Sequence, residues 1–110
     1  MEKLKIYQIG IDLAVQIYQL INQHNSLRTD YALNDQLKRA ALSVVANIAE
    51  GFSRSLNQNR NYLAISSGSA NEVVALLQIV ERVYSESTAD LVTRYKLLGK
   101  QINAFSRSLR

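Results

Sequence analysis

The segment from Gln36 to Arg54 constrains the fold more than any other part of the chain, because it is apolar on two sides of a helix. At helical spacing its two apolar stripes are Leu37, Ala41, Val44 and Ile48, and Leu42, Val45, Ala49 and Phe52. A helix that is apolar around most of its circumference is usually central and covered by its neighbours. The segment therefore predicts a central helix in a helical protein.

A third stripe on this helix is polar and consists of Ser43, Asn47, Glu50 and Arg54. If these groups are buried they need partners, because an unpaired buried polar group costs about 1–3 kcal/mol. One interpretation is a hydrogen-bonded seam that holds helix register, and the other is a set of side chains that touches a ligand. We expect Glu50 and Glu72 each to pair with Arg39, Asn47 or Arg54. The residues of this predicted polar seam are Arg39, Ser43, Asn47, Glu50 and Glu72.

The composition limits the class of protein. A chain of 110 residues without proline is long enough for one domain, residues 1–110, and allows long uninterrupted helices. The absence of cysteine excludes disulfides and thiolate metal sites. No signal peptide is evident at the N-terminus, and the longest uncharged apolar runs are too short to span a bilayer. We therefore expect a cytoplasmic protein without membrane association.

Four helices follow from the periodicity and the capping residues. The first spans about residues 6–24 and has two adjacent apolar stripes, which indicates either a subunit interface or a deeply seated bundle helix. Residues 25–33 form a polar connection, and Asp30 or Asn34 caps the second helix, which ends near residue 53. Ser55 with Gln58 forms a capping box that opens the third helix, and Ser87 with Asp90 forms one that opens the fourth.

The third helix continues through residues 66–70, where small side chains allow another helix to approach closely. Its predicted inner line is Tyr62, Ile65, Ser69, Val73, Leu76, Val80 and Val83, beside a second line of Leu63, Ser67, Ala70, Val74, Leu77 and Tyr84. The apolar stripe of the fourth helix is Leu91, Tyr95, Leu98, Ile102, Phe105 and Leu109. Because the links are short, the sequence predicts an all-α, antiparallel up-down-up-down four-helix bundle.

Catalytic and cofactor chemistry finds little support in the residues. The Glu-x-x-His pairs of di-iron bundles are absent, because Ser53 follows Glu50 at i+3 and Ala75 follows Glu72. A serine triad would have to recruit the single histidine, His24, from another helix. The glycines do not match a phosphate-binding loop. We therefore expect no enzymatic activity, no metal and no cofactor.

Basic residues recur on one side of the fourth helix. This stripe consists of Lys96, Lys100, Asn103, Arg107 and Arg110, and Lys38, Arg54 and Arg60 are candidates to extend it. The net charge of +4 favours anionic partners. Since no side chains are arranged to read base edges, we expect contacts to phosphates of RNA or DNA.

Two groups of residues match a known signature. The first consists of Gln36-Leu37-Lys38-Arg39-Ala40, Ser43, Asn47-Ile48-Ala49-Glu50-Gly51 and Arg54. The second consists of Ala64, Gly68-Ser69-Ala70 and Glu72. Together they resemble the four helix bundle protein family, whose members are also called 23S ribosomal RNA intervening-sequence proteins. The resemblance covers about residues 4–85, and the fourth helix agrees only in length and periodicity.

The resemblance implies an antiparallel four-helix bundle that assembles as a homopentamer. Some members are encoded inside intervening sequences of ribosomal RNA genes. A related branch, the accessory variability determinant of diversity-generating retroelements, binds a reverse transcriptase and nucleic acid. Two functions remain open for this chain: an oligomer that binds RNA or DNA, with a reverse transcriptase as a possible partner, or a protein–protein interaction scaffold that binds no nucleic acid.

Overall fold

The computed structural model describes residues 2–109, which form five α-helices. They are α1 (Glu2–Gln23), α2 (Asn25–Thr29), α3 (Tyr31–Gly51), α4 (Leu56–Tyr84) and α5 (Ala89–Ser108). No strand occurs between Glu2 and Leu109. The all-helical prediction is confirmed, and α1, α3, α4 and α5 correspond to the four predicted helices.

The short helix α2 replaces part of the predicted polar connection. Its Leu27 is buried in the core, and this apolar anchor holds the five-residue turn against the other helices. The buried Asn34 amide donates to the carbonyls of Leu27 and Arg28 at 3.1 and 3.0 Å. Asn34 therefore satisfies carbonyls at the end of α2, whereas Asp30 caps α3 by accepting from the Leu33 N–H at 3.2 Å.

The helices surround one core. α4 packs against α3 on one side and α5 on the other, and α1 packs against α3 and α5. Asp30, at the start of α3, accepts a 2.6 Å hydrogen bond from the hydroxyl of Tyr84, at the end of α4. This bond, together with the Leu33 N–H, lowers the pKa of the Asp30 carboxyl. The first turn of α3 is thereby tied to the last turn of α4.

The small residues of α4 allow close contact with α3, as predicted. Ser66 is fully buried and donates to the Val44 carbonyl at 2.7 Å. Gly68 behaves differently, because it is exposed and a Cβ added there would meet no atom within 4 Å. The predicted inner line is also partly wrong, since Ile65 and Val83 are 51% and 59% exposed. α4 is apolar on three sides, and only its position between α3 and α5 decides which residues are buried.

α4 is long and apolar enough to cross a membrane by length and composition, although half of its most apolar stretch is buried. Its contacts with α3 and α5 account for the buried apolar residues. The core helix of a soluble protein can have the same length and composition, so the absence of membrane association stays a prediction.

The helix starts confirm one predicted capping box and correct the other. Ser55 and Gln58 form the box that opens α4. At α5 the residue before the helix is Thr88 rather than Ser87, and its side chain does not cap α5. The buried Thr88 hydroxyl instead donates to the Leu77 carbonyl at 3.0 Å, and its N–H donates to the Glu81 carboxylate at 3.0 Å. α4 ends at Ser85, whose backbone is in the left-handed conformation, and the link that follows directs the Thr88 side chain toward the core.

Replacing Thr88 with valine should destabilise the protein by about 1 kcal/mol, because the shape is kept while the hydrogen bond to Leu77 is lost. A loss of this size lowers the melting temperature of a domain of this length by about 4 °C, which thermal unfolding followed by circular dichroism detects. Ser87→Ala is the matched control and should leave the melting temperature unchanged. The opposite pattern would mean that Ser87 caps α5 after all.

Candidate nucleic-acid interface

The basic residues of α5 lie on the side of the helix that faces solvent. Lys96, Lys100 and Arg107 are exposed, and with Asn103 they fall within an arc of about 60° at 3.6 residues per turn. We call these four residues the α5 basic surface. The other side of α5 is buried and comprises Tyr95, Leu98, Gly99 and Ile102. Arg110, the last predicted member of the stripe, lies outside the described residues.

The α5 basic surface has no carboxylate on its own stretch of α5 or on the adjoining start of α4. Residues 91–109 contain no aspartate or glutamate, and neither do residues 55–71 at the start of α4. These two segments lie side by side, because a Cβ added at Gly99 would lie 3.9 Å from that of Ala70. Lys96, Lys100 and Arg107 form no ion pair with another described residue. A surface whose cations form no ion pairs attracts polyanions.

Only one of the three additional candidates joins this surface. The Arg60 guanidinium donates to the carbonyl of Leu109, just beyond the end of α5. Lys38 belongs to α3, which makes no contact with α5 in the described structure, and its ammonium lies 5.4 Å from the ring centroid of Tyr18. Arg54 pairs with Glu50 and lies 5.6 Å from the ring centroid of Tyr62. Lys38 and Arg54 therefore make local cation–π contacts away from the α5 basic surface.

The centre of the predicted polar seam is a hydrogen-bonded cluster between α3 and α4. The hydroxyls of Ser43 and Ser69 lie 2.7 Å apart. The Asn47 amide donates to the Ser43 carbonyl at 2.8 Å and to its hydroxyl at 3.0 Å. Ser69 is buried and Ser43 and Asn47 are half-buried. These groups satisfy one another, so the cluster can hold the register of α3 against α4 without a ligand.

Of the charged members of the seam, only Glu50 follows the prediction, because it pairs with Arg54, although at the surface. Arg39 pairs with Asp35 at 2.8 Å rather than with a seam residue. Glu72 is exposed and has no ion-pair partner in residues 2–109, so the expectation that it is buried and paired is wrong for this chain. Ser43 and Ser69 lie on the contact line between α3 and α4, whereas the longer side chains of Glu50 and Glu72 lie in solvent.

An apolar groove lies between α1 and α3, on the side of the molecule away from α4 and α5. We call it the α1–α3 groove; it has a volume of about 320 Å³ and is lined by Ile11, Ala14, Val15, Tyr18, Gln19, Asn22, Leu42 and Val45. Val15 and Leu42 are each 49% exposed. The double apolar stripe of the first helix thus serves both the core and an uncovered surface.

Metal-ligating residues do not cluster anywhere in the described part of the chain, where no group of three or more histidine, aspartate or glutamate side chains could hold an ion.

The chain matches a known protein family over nearly its whole length. Residues 2–104 match the family of 23S rRNA-intervening sequence proteins. The chain belongs to this family. The resemblance inferred from the Gln36–Arg54 segment is therefore confirmed.

A solved structure supports the fold of this intervening-sequence protein. It is the crystal structure of a protein of unknown function from the S23 ribosomal protein family, from Bacteroides thetaiotaomicron. The two chains superpose with a TM-score of 0.89 at 20% sequence identity, over 98% of this chain and 100% of that one. At this identity the similarity shows the fold alone. No curated protein matches the chain.

Part of the family signature is structural in this intervening-sequence protein. Ile48 and Gly51 are buried, and Asn47 belongs to the hydrogen-bonded cluster with Ser43. The sequence patterns included Arg60 of α4 as a candidate for the basic surface, but they missed that residues 55–71 contain no carboxylate. That signal was present in the charge distribution.

Proposed function

We propose that this intervening-sequence protein is a non-catalytic, homo-oligomeric cytoplasmic protein that binds RNA or DNA through the α5 basic surface. The observation that supports this proposal most is the absence of carboxylates from the adjoining segments 55–71 and 91–109. Exposed lysine and arginine side chains without local counterions bind phosphates and release the condensed cations of the nucleic acid.

The same residues indicate that binding depends little on base sequence. Lys96 and Lys100 act as point charges toward phosphate oxygens, and Arg107 adds a planar donor group. Arg60 and the amide of Asn103 are further donors to phosphate or sugar oxygens. Contacts of this type fix the position of a duplex but do not read its bases, so sequence preference should be weak.

Assembly is the second part of the proposal. The contacts between helix ends, such as Asp30 with Tyr84 and Arg60 with Leu109, support an antiparallel up-down-up-down arrangement. The α1–α3 groove supports a homo-oligomer, for which the family resemblance favours a pentamer. A ring would repeat the α5 basic surface around its circumference and raise the avidity for a polyanion. The resemblance also makes a reverse transcriptase a candidate protein partner.

Reversing three charges, with Lys96→Glu, Lys100→Glu and Arg107→Glu in one variant, should abolish nucleic-acid binding. Fluorescence anisotropy with a labelled 20-base-pair duplex at low and moderate salt measures the affinity. For the wild type, the logarithm of the binding constant should fall linearly with the logarithm of salt concentration, with a slope near −0.9 per neutralised phosphate for a DNA duplex. Circular dichroism and light scattering should show unchanged fold and assembly.

The matched control places the same charge change elsewhere. Lys5→Glu, Arg28→Glu and Arg82→Glu alter three exposed cations outside α5 and should reduce binding far less. If both triple variants weaken binding equally, the net charge rather than the α5 basic surface attracts the ligand. If the wild type binds neither RNA nor DNA at low salt, the proposed function is wrong.

A second candidate function is a protein–protein interaction scaffold without nucleic-acid binding. The observation that favours it is the α1–α3 groove, whose apolar lining is suited to side chains of a protein partner. A wild-type protein that assembles normally but fails to bind any duplex would support this alternative, because the basic residues would then serve as solvated surface.

A further inference from the structure

We infer that the α5 basic surface recognises double-stranded RNA, and that Asn103 distinguishes an RNA duplex from a DNA duplex by contacting the 2′-hydroxyl. This inference rests on the proposed function and adds the class of nucleic acid and the residue that selects it. Three features of the surface lead to it: its lack of exposed aromatic rings, the spacing of its cations and the position of one amide.

The aromatic residues argue against a single-stranded ligand. Proteins that bind single strands stack the bases on exposed aromatic side chains. On α5, Tyr95 is 1% exposed and Phe105 is partly buried against the core. The most exposed large aromatic among the described residues is Tyr31, on α3, which makes no contact with α5. The α5 basic surface therefore offers phosphate contacts without a stacking platform, which suits a duplex whose bases are already stacked.

The spacing of the cations matches the minor groove of an A-form duplex rather than that of B-form DNA. At a rise of 1.5 Å per residue, Lys96 and Lys100 are about 6 Å apart along the helix axis, and Lys100 and Arg107 about 10.5 Å apart. The minor groove of B-form DNA is only about 6 Å wide, whereas that of A-form RNA is wide and shallow. An α-helix lying across the RNA minor groove can thus place Lys96 and Lys100 on the phosphates of one strand and Arg107 on those of the other.

Asn103 lies between the two sets of cations, where the floor of that groove would be. It is about 4.5 Å along the axis from Lys100 and about 6 Å from Arg107. Its side chain is exposed and makes no hydrogen bond to the described residues, so its amide is available to a ligand. A side-chain amide both donates and accepts hydrogen bonds, and so does the 2′-hydroxyl that RNA presents in the minor groove. DNA lacks this hydroxyl.

The test compares three ligands of one sequence: a 20-base-pair RNA duplex, the same duplex as DNA, and the single RNA strand. The wild type should bind the RNA duplex about 3- to 10-fold more tightly than the DNA duplex, the range expected for one hydrogen bond. Asn103→Ala should remove this preference, because it should weaken binding of the RNA duplex more than binding of the DNA duplex. Lys100→Ala, the control variant, should weaken binding to both duplexes and keep their ratio.

The other outcomes separate the two proposals. Equal affinities for RNA and DNA duplexes, or tighter binding of the single strand, would overturn the inference and leave the proposed function in place. An Asn103→Ala variant that weakens both duplexes equally would show that Asn103 contacts only phosphate, which also overturns it. A wild type that binds none of the three ligands would overturn the proposed function as well. Unchanged circular dichroism spectra exclude misfolding of the variants.

Discussion

Replacing Tyr95 with phenylalanine should raise the melting temperature of the protein. The side chain of Tyr95 is 1% exposed, and its hydroxyl has no hydrogen-bond partner among the described residues. A buried polar group without a partner costs about 1–3 kcal/mol, and phenylalanine fills the same space without that cost. A gain of 1 kcal/mol corresponds to an increase of about 4 °C for a domain of this length, which differential scanning calorimetry resolves.

The same variant should resist alkaline unfolding. Burial raises the pKa of Tyr95, so the folded chain holds the phenolic proton more tightly than the unfolded chain does. The stabilising effect of this difference is fully present below the ordinary tyrosine pKa of about 10, and it is lost as the pH rises above that value. Wild-type stability should therefore fall above about pH 10, and Tyr95→Phe should show a smaller decrease.

The control for both measurements is Tyr31→Phe. Tyr31 is 75% exposed, so loss of its hydroxyl should change neither the melting temperature nor the alkaline transition. A lower melting temperature for Tyr95→Phe would mean that the hydroxyl is hydrogen bonded in solution, for example to a water molecule or to another subunit. That result would contradict the interpretation of Tyr95 as an unsatisfied buried group.

The sequence predicted the position of Tyr95 but not the state of its hydroxyl. The regular stripe from Leu91 to Leu109 was sufficient to place this side chain in the core, because one face of α5 is apolar and the other is polar. Whether a buried hydroxyl finds a partner depends on atoms of other helices. Periodicity within one helix contains no information about them.

The errors along α4 have a related cause. Apolar residues cover three sides of this helix, so periodicity alone could not distinguish the exposed Ile65 from the buried Leu63. Glu72 was expected to pair with a residue of the polar seam, yet Ser69 rather than Glu72 lies on the contact line with α3. Thr88 was missed because a capping pattern at Ser87 fitted local rules, whereas a tertiary contact with Leu77 determines the start of α5.

The basic surface was predictable in part, for a physical reason. Lys96, Lys100 and Arg107 share one helix, and helical geometry alone brings them together. Lys38 belongs to another helix, α3. The direction of its side chain depends on the packing of α3 against α1, where its ammonium lies over the ring of Tyr18. Residues on a single long helix can therefore be grouped from the sequence, whereas residues on different helices require the structure.

Introducing a lysine at both Val15 and Leu42 should dissociate the proposed oligomer into single chains. Both side chains are half-exposed and line the α1–α3 groove from opposite helices. If the groove is covered by another subunit, the variant buries two unpaired charges in each interface, which costs several kcal/mol. Light scattering coupled to size-exclusion chromatography should show the mass falling from that of an oligomer to the 12.4 kDa of one chain.

The control for this double variant must change exposed apolar residues that lie outside the groove. Tyr31→Lys with Leu97→Lys meets this condition, because both side chains are more than half exposed and neither lines the groove. This variant should keep the oligomeric mass.

Because the groove residues are partly in solvent within one chain, Val15→Lys with Leu42→Lys should leave the helical content of the monomer intact. A wild type that is monomeric at micromolar concentration, or a double variant that keeps the oligomeric mass, would exclude the groove as a subunit interface.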